Sequence, residues 1–216
     1  MNSSNKKKIC FITGSRAEYG LIEKIIKLFS RNKSFKTYLL VTGSHLNNKF
    51  GNTIKYIAKK NIIIKKIKLN LNLDSKESIY GNQLKLSQGI YKFYKSTKPD
   101  CFVVLGDRFE IFSLCSFIQF LNIPIVHIHG GEKTTGSIDD QLRHCITKMS
   151  HIHFVANKEF QSRLIQLGEE KKSVNIVGGL GIDKIYRTQL YTKQEISKII
   201  KFDLNKKNIL ITLHPD

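Results

Sequence analysis

The sequence predicts an α/β protein built on a doubly wound, Rossmann-like parallel sheet. Three observations predict it. Short apolar runs rich in Val and Ile recur along the chain, too short for buried helices. Helical patterns alternate with them throughout. Two of the runs, Cys101-Phe102-Val103-Val104-Leu105 and Ile123-Pro124-Ile125-Val126-His127-Ile128, end in bursts of charge, where parallel strands place their chemistry.

Residues 8–13 read as the first strand, with Gly14-Ser15-Arg16 as its turn. A helix follows from Ala17, its apolar side made of Leu21, Ile22, Ile25, Ile26, Leu28 and Phe29. Residues 36–42 form a second strand that ends at Gly43-Ser44-His45. Asn52 caps a short helix reaching Lys60, and residues 62–67 form a third strand. A longer helix opens at Asp74 or Ser75 and runs to about Ser96; Gly81 and Gly89 weaken it, and Pro99 stops the segment. Then come strand 101–105, helix 109–121, strand 124–129, helix 139–149, strand 151–156, helix 158–167 and strand 174–177. Gly178-Gly179-Leu180-Gly181 breaks the rhythm, and residues 182–201 read as a short helix, a linker and another helix. Residues 208–213 begin a fresh strand. The expected division is a Rossmann-like domain at 1–180, linker helices at 181–204 and the first strand of a second domain at 205–216.

Composition narrows the function classes. Of 216 residues, 41% are hydrophobic, enough for a real core. No stretch approaches the roughly 20 apolar residues of a membrane helix. The polar, basic stretch from Met1 to Lys8 leads straight into a strand rather than into a signal-peptide apolar region, so a cytoplasmic location is expected. Cys10, Cys101, Cys115 and Cys145 form no Cys-x-x-Cys pair, which fits reduced thiols better than disulfides or zinc. The net charge of +19 raises nucleic-acid binding, but the lysines are scattered and no aromatic platform is interleaved with them. A basic surface drift is the preferred reading, one that still draws an anionic small substrate.

Four motifs carry chemistry. Gly14-Ser15-Arg16-Ala17-Glu18-Tyr19-Gly20 sits at a strand-to-helix turn, where amides attract phosphate and Arg16 adds a bidentate contact; a structural turn with Arg16 on the surface is an even alternative. It is neither the dinucleotide fingerprint nor a Walker loop. Asp107, after Gly106, reads either as a helix cap or as a catalytic carboxylate paired with Arg108. His127 and His129 alternate on one strand face, with His144, His151 and His153 nearby; hydrogen-bonded core imidazoles are preferred to a metal site. Glu132, Asp139, Asp140, Arg143 and His144 crowd a loop-to-helix junction, where one aspartate as a plain N-cap is the alternative to a functional cluster.

Together the segment Gly14–Gly20, Gly106-Asp107-Arg108-Phe109-Glu110, His127-Ile128-His129-Gly130-Gly131-Glu132, Ile138-Asp139-Asp140-Gln141-Leu142-Arg143-His144 with residues 146–151, Gly178-Gly179-Leu180-Gly181-Ile182-Asp183 and His214-Pro215 resemble the UDP-N-acetylglucosamine 2-epimerase family. The closer resemblance is to its hydrolysing branch, which feeds sialic and legionaminic acid synthesis. The resemblance implies the N-terminal half of a glycosyltransferase-B-like two-domain fold, with the nucleotide held mostly by the other half. It implies release of UDP from UDP-N-acetylglucosamine by elimination, then hydration to N-acetylmannosamine. It needs no cofactor and no metal, and it implies a fragment inactive alone and a homo-oligomer at full length. On that resemblance Asp107, Asp139, His129, Glu132 and His214 are catalytic candidates. Arg16, Gly20, Arg108, Arg143 and His144 are substrate-binding candidates. In the family it resembles, many members carry Glu where this chain has His129, with one residue fewer before Asp139, and others share the His-Ile-His-Gly-Gly-Glu form. That departure leaves the carboxylate's job to His129 or Glu132, and it points to a UDP- or GDP-2,4-diacetamido-trideoxyhexose as the alternative substrate. A glycosyltransferase of similar fold and a non-enzymatic binding module are the competing classes.

Overall fold

The computed structural model describes residues 6–70 and 75–213. Strand and helix alternate: β1 (Lys7–Thr13), α1 (Arg16–Arg31), β2 (Phe35–Val41), β3 (Ile63–Lys66), α2 (Lys76–Thr97), β4 (Cys101–Leu105), α3 (Phe109–Gln119), β5 (Ile125–Ile128), α4 (Ile138–Lys148), β6 (Ile152–Val155), α5 (Lys158–Gln166), β7 (Val174–Ile176), α6 (Leu180–Arg187) and α7 (Lys193–Ile200). All pairings are parallel, in the order β3-β2-β1-β4-β5-β6-β7. The order reverses between β1 and β4. In an open α/β sheet, ligands bind outside the carboxyl ends of the strands at such a switch point.

Successive strand residues face opposite sides of the sheet, so each strand feeds two cores. Cys10, Ile12, Leu40, Phe102, Val104 and Ile125 pack with Leu86 and Ile90 of α2 and with Ile111, Leu114 and Ile118 of α3. Ile9, Phe11, Leu39, Val41, Val103 and Ile128 pack with Tyr19, Ile22 and Ile26 of α1. On this second side a groove of about 560 Å³ runs over β4–β6 between α1 and α6.

Side chains start most of the helices. Ser15, Ser75, Ser137 and Asn157 each accept an amide hydrogen bond of the first turn of α1, α2, α4 and α5. Thr192 and Glu195 close a capping box on α7. Helices α3 and α6 are the exceptions: α6 follows Gly179, and α3 has no side-chain cap either. The N-cap of α3 is Arg108, so Asp107 does not cap it. Neither Asp139 nor Asp140 is an N-cap, since Ser137 takes that role. The short helix expected after Asn52 is a 3₁₀ turn, Thr53–Tyr56, without a side-chain cap.

Residues 208–213 form no strand: Ile209, Leu210, Ile211 and Leu213 are exposed and pair with neither edge of the sheet. An apolar β-prone run becomes a strand only where a partner edge takes up its backbone groups. Asp74, one of two expected helix starts, lies outside the described residues; Ser75 opens α2.

Candidate functional site

Strand β1 delivers Gly14 to the switch point, and α1 turns back over it. The Gly14 amide donates to Glu18 Oε2 at 2.8 Å. Glu18 is buried, and burial pushes its carboxyl up to about 7, against the pull of the Gly14 amide and Arg108. Across the crossover, Arg108 donates from Nη2 to Glu110 Oε1 (3.0 Å) and from Nε to Oε2 (3.2 Å). Glu110 is fully buried. A β-carbon on Gly14 would stand 3.3 Å from both carboxylates, so glycine there lets the strand end meet them. Two buried carboxyls face one guanidinium, and burial holds that of Glu18 up at about 7.

Next along the sheet, Gly106 carries the chain from β4 to Asp107. The carbonyl of Gly106 accepts from His127 Nε2 (2.8 Å), and Thr147 Oγ1 lies 3.2 Å from Nδ1. A carbonyl only accepts, so Nε2 holds the proton. Burial drives His127 down to about 3, making it a neutral core imidazole. Asp107 pairs with Arg143 of α4, not with Arg108. Burial raises the Asp107 carboxyl, Arg143 pulls it down, and the charges of Asp139 and Glu132 push it up. Arg143 also donates to the Glu132 carbonyl (2.7 Å) and to Thr134 Oγ1 (3.1 Å). One buried guanidinium thus ties the ends of β4 and β5 to α4.

Beyond β5, His129 takes a left-handed backbone (φ +65°), and its Nδ1 stands 2.5 Å from Glu132 Oε1. Asp140 Oδ1 accepts the Thr134 amide at 2.9 Å, which lowers its carboxyl. His144, one turn along α4, sits 3.8 Å from Asp140. Asp139 lines a cavity of about 520 Å³ with Arg108, Phe109, Glu110, Ile138 and Leu142.

Of the candidates, Asp107, Asp139, His129, Glu132, Arg108, Arg143 and His144 therefore gather around the ends of β4 and β5. Arg16 and Gly20 do not join them. They border a separate cavity of about 620 Å³ with Tyr56 and Lys184, and Lys184 donates to the Gly20 carbonyl at 3.2 Å. His214 lies outside the described residues. Glu18 and Glu110 escaped sequence reasoning as partners of Arg108. The available signal was Glu110 itself, a carboxylate at the start of an otherwise apolar helix. Among the described residues no group of three or more His, Cys, Asp or Glu side chains is placed to hold a metal ion, and no helix is long and apolar enough to cross a membrane.

The family model for UDP-N-acetylglucosamine 2-epimerase matches residues 27–216. The chain belongs to that family. This epimerase-family chain is 38% identical over 211 residues to the GDP/UDP-N,N'-diacetylbacillosamine 2-epimerase (hydrolyzing) of Campylobacter jejuni, covering 98% of this chain and 55% of that protein. It is 39% identical to polysialic acid biosynthesis protein P7 of Escherichia coli, covering 97% and 54%. It is 35% identical to the UDP-N,N'-diacetylbacillosamine 2-epimerase (hydrolyzing) of Legionella pneumophila, covering 97% and 55%. The chain spans about half the length of these relatives. Its fold matches UDP-GlcNAc 2-epimerase from Neisseria meningitidis bound to UDP-GlcNAc, with a TM-score of 0.72 at 17% identity over 92% of this chain and 54% of that one. The architecture is that of the N-terminal half of a glycosyltransferase-B-like fold.

Proposed function

We propose that this chain supplies the sugar-facing half of the active site of a hydrolysing 2-epimerase, which converts UDP-N-acetylglucosamine and water into N-acetylmannosamine and UDP. The observation that carries the reading is the Asp107–Arg143 pair, joined through Arg143 to the Glu132 loop and set beside Asp139 at the ends of β4 and β5. The sugar carbon bearing the acetamido group holds no acidic proton. Proton removal there must accompany departure of the diphosphate, and both need positioned groups. Asp107, kept up by burial and by neighbouring carboxylates, suits a group that gives a proton and takes it back. Arg108, bordering the adjacent cavity, suits the negative leaving group. The remaining nucleotide contacts are assigned to the half of the relatives that this chain does not span, so the chain alone is expected to be inactive.

A second substrate is favoured by the relatives themselves. Those of Campylobacter jejuni and Legionella pneumophila are named for N,N'-diacetylbacillosamine nucleotides. A UDP- or GDP-linked 2,4-diacetamido-trideoxyhexose is therefore the alternative. The test offers the intact gene product both kinds of nucleotide sugar in D₂O. UDP or GDP release with one deuterium at C2 of the freed sugar supports the reading. Release that requires an acceptor sugar, or no release, refutes it.

A further inference from the structure

We propose that Glu132 and His129 form the dyad that removes the C2 proton, with His129 Nε2 as the atom that takes it. The inference rests on the epimerase reading and assigns the base within it.

Polarity comes first. A carboxylate only accepts, so the 2.5 Å contact to Glu132 Oε1 places a proton on His129 Nδ1, and in the neutral ring the lone pair is then on Nε2. That Nε2 is buried and has no hydrogen-bond partner among the described residues. The neighbouring His127 has partners on both nitrogens. An unmet buried acceptor is kept against a free-energy cost, and such groups mark sites where a ligand completes the set. The backbone agrees. His129 is a non-glycine residue at φ +65°, anchored by its amide to the Phe154 carbonyl at 2.9 Å. Held conformations of this kind concentrate where a side chain must be aimed. The position relative to Asp107 completes the case: Arg143 donates both to Asp107 and to the Glu132 carbonyl, so dyad and carboxyl are braced by one cation. The charged and titratable groups tied to the dyad are His127 on β5, which feels His129, Asp107 after β4, which feels Glu132, and Arg143 of α4, which donates to the Glu132 carbonyl.

Nε2 takes the C2 proton, and the C–H electrons become the C1–C2 double bond. The C1–O bond breaks, and its electron pair leaves on the diphosphate oxygen. Glu132 stabilises the imidazolium through the Nδ1 proton. Water then adds its hydroxyl to C1, and C2 receives a proton on the other face from Asp107. The proton that water gives up restores Asp107, and the His129 imidazolium releases its proton to solvent, which balances the extra negative charge of the freed diphosphate.

The test compares His129→Asn and His129→Glu in the intact gene product, on whichever nucleotide sugar the wild type turns over best. His129→Asn is expected to lose about 100-fold or more in kcat, with KM within about threefold. His129→Glu, which returns a base, is expected to recover about tenfold of that loss. Glu132→Gln should lower kcat with KM held. In the chain itself, ¹⁵N NMR of the imidazole should show the Nδ1–H tautomer of His129, and Glu132→Gln should disturb it. Turnover by His129→Asn near the wild-type rate, or an Nε2–H tautomer in the wild type, overturns the dyad and leaves the epimerase reading standing. A wild type that releases no nucleotide from any of these sugars overturns both.

Discussion

Asp107 and Arg143 are adjacent only in space, 36 positions apart in sequence, and each depends on the other. Removing one partner of such a pair leaves the other desolvated and unpaired. Asp107→Asn should abolish nucleotide release and lower unfolding stability by about 3 kcal/mol, measurable by urea titration. Unimpaired turnover in that variant removes Asp107 from the mechanism. Glu18 makes a separate prediction through pH. Its carboxyl rises from 4.5 to about 7 in the fold, so the native state holds a proton that the unfolded chain has released. The Glu18 contribution to stability therefore falls as pH climbs from about 4.5 to 7, by up to about 3 kcal/mol, while His127 and His45, both held down by burial, contribute in the opposite sense. Glu18→Gln keeps an acceptor for the Gly14 amide and removes this slope. Wild type and variant showing the same change in unfolding free energy between pH 5 and pH 8 would sink the assignment of the proton to Glu18.

At the scale of the element, α2 separates two glycines that look alike in sequence. A β-carbon at Gly81 meets nothing within 4 Å, whereas at Gly89 it would stand 2.7 Å from Ile67 Cδ1. Gly81→Ala should therefore stabilise by about 1 kcal/mol through helix propensity. Gly89→Ala should destabilise by about 2 kcal/mol, because the gain is outweighed by overpacking against β3's end. Equal shifts in the two urea midpoints contradict this packing. The seven strands and the main helices were legible from apolar runs and their spacing. The start of α3 at Phe109 was legible too; the role of Asp107 was not, because it looks like a cap in sequence and its carboxylate is drawn instead to Arg143 across the sheet end.

For the whole molecule, the excess of cations has a measurable consequence. A net charge of +19 repels itself in the compact state. Raising salt from about 20 to about 200 mM shortens the Debye length severalfold, so the melting temperature should rise by a few degrees. A melting temperature insensitive to salt would mean that local ion pairs already neutralise this field. At this scale the switch point between β1 and β4 sets where the site lies, and seven of the candidates collect at or beside it. Arg16 and Gly20 share a motif with Glu18, yet α1 turns them toward Tyr56 and Lys184.

The sequence by itself determined the parallel sheet, because buried strands need continuous apolar runs and their crossovers need amphipathic helices. It also determined which segments carry charge to the strand ends. The tertiary structure alone decided the partnerships: Asp107 with Arg143, Arg108 with Glu110 beside Glu18, and His129 with Glu132 leaving Nε2 unmet. Spacing along a chain constrains which face a residue takes. The choice among several charges gathered at one crevice depends on burial and distance across strands that sequence order does not encode.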